Sequence, residues 1–177
     1  MINRRQVLKF SLLGSVASLG AGYWALPTGP RPGAVSIEGA QAFLRTLEGQ
    51  ALVSLKGWNP TEVFNHCAQS IEYSMKGYPE LKPGWFRNSV GPLAFGVFSA
   101  RGAMRHPLQE IIPGATALDQ PATQGAALAR LQDAFTEFAA YTAPLHPHFA
   151  YGLLNHGEYA EAHVLHLYNH MSLVRLA

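Results

Sequence analysis

The sequence has little that could staple a fold or charge its surface. A single cysteine, Cys67, excludes an internal disulfide framework and any cysteine-rich zinc module. Charged residues make up only 14% of the 177 residues, balanced at 13 Lys+Arg against 11 Asp+Glu. Residues 1–30 hold Arg4, Arg5 and Lys9 and no acid, which leaves 10 bases against 11 acids in the rest of the chain. The basic character therefore belongs to the N-terminal segment. Nothing after it forms the basic face that nucleic acid requires, so no nucleic-acid partner is expected. Long runs of strict apolar–polar alternation are also missing, which argues against a sheet-based core. What remains is a chain with 48% hydrophobic residues and a length suited to one domain.

The N-terminal segment is set aside from the fold argument. Asn3-Arg4-Arg5-Gln6-Val7-Leu8-Lys9 resembles the twin-arginine export signature, with the paired arginines, the leucine and the lysine at the expected offsets. An uncharged stretch rich in Gly, Ala and Ser follows from Phe10 to Leu26. The expected partner is the twin-arginine export machinery, and the expected location is periplasmic or exported. A plain secretory signal fits the same stretch. So does an uncleaved anchor, because residues 7–26 are long enough to span a bilayer at ~1.5 Å per residue. Residues 1–26 are thus read as signal peptide or membrane anchor, 27–35 as a stiff Pro/Gly linker, and 36–177 as the folded domain.

That domain reads as helical. Ser36 is an expected N-cap, followed by Ile37, Ala40, Phe43, Leu44 and Leu47 at steps of three and four, with Gly49 closing the run. Asn59, Pro60 and Glu62 form a capping-box start for a second helix with the stripe Val63, Phe64, Cys67, Ala68, Ile71 and Met75, ending at Gly77. A helix is expected from Gly91-Pro92 through Phe98 to Gly102, and a surface connector over 104–120. A further helix is expected from near Pro121, with Leu128, Leu131, Ala134, Phe135 and Phe138 on one face. The last starts at Asn155, is boxed by Glu158, and runs toward Arg175. Four or five amphipathic helices of these lengths predict an all-α helical bundle.

Six of the eight histidines fall between residues 146 and 170. His163, His166 and His170 share one helical face, and the last two are one turn apart, ~6 Å along the axis. Imidazoles at that spacing can converge on one metal ion, given a third ligand from a facing helix. His66 is the candidate donor, since it borders the apolar stripe of the second helix. Glu62, Gln69, His163 and Asn169 are candidates for the surrounding shell that orients such ligands, with Tyr73 beside them. Three neutral histidines suit zinc, nickel, iron or manganese and leave coordination positions open. A stripe of hydrogen-bonded core histidines would have the same spacing, and His146-Pro147-His148 is a competing pair. Cys67 lies ~100° round the helix from His66, on the core side.

Trp58-Asn59-Pro60-Thr61-Glu62-Val63-Phe64-Asn65-His66 resembles the second-helix motif of the DinB-like (YfiT-like) four-helix-bundle superfamily, and His166-Leu-Tyr-Asn-His170 resembles its closing His-x-x-x-His. Gln69–Ser74 and Phe98–Gly102 are similar to a branch known only as a domain of unknown function. The resemblance spans residues 36–175 and implies a divalent metal on His66, His166 and His170. It also implies relatives that are thiol-dependent transferases, isomerases or amide hydrolases. Asn169 and Ser172-Leu173 depart from the branch pattern. The expected function is an exported metalloprotein, a metal-dependent hydrolase or transferase whose catalytic residue is unassigned. The alternative is a non-catalytic binding or structural bundle at the membrane or in the periplasm, with Trp85-Phe86 as a contact surface and a homodimer as one expected assembly.

Overall fold

Capping chemistry sets most of the helix boundaries. The computed structural model describes residues 32–177; Arg4, Arg5, the 7–26 stretch and most of the linker lie outside the described residues. Helix α1 (Ile37–Arg45) starts where the Ser36 hydroxyl accepts from the Gly39 amide at 3.0 Å. Helix α2 (Pro60–Lys76) opens on the Asn59/Glu62 capping box and stops at Gly77, whose φ of 99° other residues rarely adopt. A single turn, Gly84–Arg87, precedes α3 (Val90–Arg101), which closes on left-handed Gly102. Helix α4 (Gln124–Ala140) is capped by Thr123 and so begins three residues after Pro121. Helix α5 (His156–Met171) has the second capping box, Asn155/Glu158.

The structure is mostly helical, with one departure from an all-helical reading. Strands β1 (Leu52–Ser54) and β2 (Val174–Leu176) pair antiparallel, Leu52 opposite Leu176 and Ser54 opposite Val174. This pairing ends α5 at Met171 instead of near Arg175. Three-residue strands are too short to display an alternation, so the sequence hides them.

Helix α2 packs along α4 and against α5, and α1 packs on the same two helices. Phe64, Ile71, Leu131, Phe135, Phe138 and Leu167 fill the space between them. Burying each of these is worth roughly 1.5–3 kcal/mol. Helix α3 lies against α5, where Phe98, Met104 and Leu165 make a smaller cluster. The end of the expected linker is docked, since the Tyr168 hydroxyl donates to the Ala34 carbonyl at 2.8 Å. The 104–120 connector is more than a surface crossing. Ile112 is buried in the main core, Asn65 Nδ2 donates to the Leu118 carbonyl at 2.8 Å, and Gln69 Nε2 donates to the Thr116 carbonyl at 3.1 Å. Polar residues on α2 that would be costly to bury alone thus take up the connector's carbonyls.

Candidate metal centre

Helix α2 brings His66 inward one turn after its capping box, and α5 brings His166 and His170 inward from the facing side. Their Nε2 atoms meet. His66 Nε2 stands 3.2 Å from His166 Nε2, and His170 Nε2 stands 3.0 Å from His166 Nε2. Ligand nitrogens of the three lie within 4.8 Å of one another, so the group could hold a metal ion. Two nitrogens each ~2.0–2.1 Å from a common ion stand roughly 3.0–3.4 Å apart, which the two closest pairs match.

Electrostatics keep these rings in the form that binds metal. Burial, helped by nearby His106, lowers His66 to about 3. Burial, then His66 and His106, lowers His170 to about 2. His166 is held well below its ordinary value by burial first and its histidine neighbours second. All three are neutral near pH 7, with a lone pair on each ring. Trp58 packs on two of them, stacked nearly parallel on His170 (9° between planes) and 4.8 Å from the His66 ring. His66 Nδ1 and His170 Nδ1 are buried without a hydrogen-bond partner among the described residues. Packing under Trp58, instead of a hydrogen-bonded acceptor, therefore fixes these two rings.

Among the candidate surrounding residues, Glu62, Gln69 and His163 have hydrogen-bond partners outside the triad. Glu62 is occupied by the cap, where its carboxylate accepts from the Asn59 amide at 2.8 Å. Gln69 holds the connector, with Oε1 buried and unpaired among the described residues, and Tyr73 packs against Tyr78 with the rings tilted at 54°. Asn169 has a buried Nδ2 without a partner among the described residues. His163 donates from Nε2 to Ser74 Oγ at 3.1 Å, since that hydroxyl is itself donating to the Ile71 carbonyl. His146 and His148 part company: His146 is exposed, and His148 is buried with Nδ1 accepting the Ala150 and Tyr151 amides. Cys67 is buried and free, and burial pushes its thiol up, away from the reactive thiolate.

One residue at the site escaped the sequence reading. His106, on the connector, places its ring centroid 5.1 Å from those of both His166 and His170. No periodicity marks it, and its only signal is an isolated histidine before a proline, just past a helix-ending glycine. His66, His106 and His166 border a cavity of about 230 Å³ that Phe98, Met104, Ile112, His148, Tyr151 and His163 also line. Its walls are mainly apolar, with Lys82 and Glu110 as the charged contributors. That composition suits a small molecule with an apolar body and a few polar contacts.

Residues 36–176 match the family described as protein of unknown function (DUF1569). The chain belongs to that family. Every histidine of the triad, as well as His106 and the cavity walls, falls inside the segment that DUF1569 covers. No curated protein and no solved structure matches the chain. Among the described residues, no helix is long and apolar enough to cross a membrane.

Proposed function

We propose that this chain is an exported metalloprotein on a DinB-like four-helix bundle, in which His66, His166 and His170 hold a divalent ion beside a small-molecule cavity. The observation that carries the reading is the meeting of three neutral imidazoles through Nε2, two of them buried and His166 half-buried, at 3.2 and 3.0 Å. Packed side chains alone rarely bring several lone-pair nitrogens together out of water, because nothing there neutralises them. The packing of α1 and α2 on the same pair α4 and α5 supports the bundle. When bound, the ion supplies Lewis acidity toward a substrate carbonyl or thiol, which suits hydrolase or transferase chemistry. The chain's own contribution is to orient and to exclude water. Trp58 packs on His66 and His170, Phe98, Met104 and Ile112 give the cavity apolar walls, and His148 presents a ring whose proton is held on Nε2 by two amides at Nδ1.

The twin-arginine motif at Arg4 and Arg5 supports export through that machinery, with residues 7–26 as signal or anchor. Replacing both arginines by lysine is expected to leave the protein in the cytoplasm.

The test is metal content by mass spectrometry on untagged protein made with its leader, beside the double variant His166→Ala/His170→Ala. Near-stoichiometric zinc, nickel, iron or manganese in the wild type and little in the variant is the expected result. A wild type that stays empty after incubation with these metals would overturn the proposal.

A second reading has its own observation. Leu81, Trp85, Val90 and Leu93 are exposed around the Gly84–Arg87 turn and the start of α3, Trp85 at 69% and Leu93 at 73%. An apolar surface of this kind fits a contact module at the membrane. In that case Trp85→Ser/Leu93→Ser abolishes co-sedimentation with vesicles and leaves metal content unchanged.

A further inference from the structure

The connector histidine has the features of a ligand. His106 Nδ1 lies 2.8 Å from the Pro107 carbonyl oxygen, so it carries the ring proton and donates it there. That bond leaves the lone pair on Nε2, and Nε2 is buried with no partner among the described residues. A backbone carbonyl on one ring nitrogen and a free lone pair on the other is how proteins prepare a histidine for a metal. Spacing agrees. Imidazoles bound through nitrogen to one ion at ~2.0–2.1 Å have centroids roughly 4.5–5.2 Å apart, between right-angle and tetrahedral arrangements. The triad rings are separated by 4.9, 4.7 and 4.7 Å, and His106 is 5.1 Å from two of them. The connector is also held from the helix that carries His66, by Asn65 at Leu118 and Pro121 and by Gln69 at Thr116.

Resting on the metal reading above, we propose that His106 is a fourth ligand, delivered by the connector, to the ion held by His66, His166 and His170. Four imidazoles close a tetrahedral zinc site, whereas an ion that takes five or six ligands keeps positions facing the cavity. Metal binding then draws the connector onto the helices, since one of the four ligands belongs to it.

The experiment loads ¹⁵N-histidine-labelled full-length protein with ¹¹³Cd and reads metal–nitrogen couplings by NMR, with His106 assigned through His106→Gln. Coupling at His106 Nε2 as well as at His66, His166 and His170 is expected. In competition titrations with zinc, His106→Ala should bind more than about 100-fold more weakly, beyond the 10–100-fold that loss of a merely orienting partner produces. Coupling confined to the triad overturns the fourth-ligand assignment and leaves the triad standing. Coupling at no histidine overturns the triad reading as well.

Discussion

Asn65 does several jobs with one amide. Its Nδ2 donates to the Leu118 and Pro121 carbonyls, while its Oδ1 accepts from Arg130, which also grips Glu72 through two bonds of 2.8 Å. The side chain is wholly buried, so Asn65→Ala leaves carbonyls without partners in the interior. We expect a loss of about 1–3 kcal/mol, read as a lower urea midpoint at unchanged slope. A midpoint within error of wild type would mean that water replaces the amide at the connector. His66 is the next residue along α2, so the same variant should also weaken zinc binding if the connector helps to position the site.

Helix α3 differs in kind from its neighbours. It is apolar on every side, with Phe95 and Phe98 buried and Leu93 and Val97 exposed. Its two inner glycines make a direct comparison. A Cβ on Gly91 would run into the Ala150 carbonyl oxygen, whereas one on Gly96 would meet nothing. Gly91→Ala is therefore expected to destabilise by about 1–3 kcal/mol, as overpacking does. Gly96→Ala should stabilise by up to ~1 kcal/mol through backbone entropy alone. Thermal midpoints of the two variants should move in opposite directions, and two equal shifts would refute the packing argument at Gly91.

Across the whole molecule, burying neutral histidines ties stability to pH. Burial lowers His66 and His163 to about 3 and His170 to about 2, and holds His148 and His166 well below their ordinary value. In the unfolded chain the same groups titrate near ~6.5. Between about 3 and 6.5 the unfolded chain binds protons that the folded one refuses, so stability rises with pH through that window. The metal-free protein should keep a constant urea midpoint above about pH 7 and lose stability steadily as the pH falls from about 6.5 toward 4. A flat profile over that range would mean that the imidazoles are protonated in the folded state.

Local rules made most helix starts readable. Ser36, Asn59 and Asn155 cap where their side-chain oxygens can reach an amide two or three residues on, and that chemistry needs no tertiary partner. The i, i+4 spacing of His166 and His170 was equally local. His66 is legible as their companion from its place beside the apolar stripe of the second helix, and the family resemblance points to the same residue. The β1–β2 pairing, the anchoring of the connector by Asn65 and Gln69, and the place of His106 join residues tens of positions apart. No local pattern encodes such contacts, because the free energy that fixes them arises only when the helices pack. Glu62 makes the division plain: its spacing fits both a cap and a site, and only the packed structure, by placing its carboxylate on the Asn59 amide, decided between them.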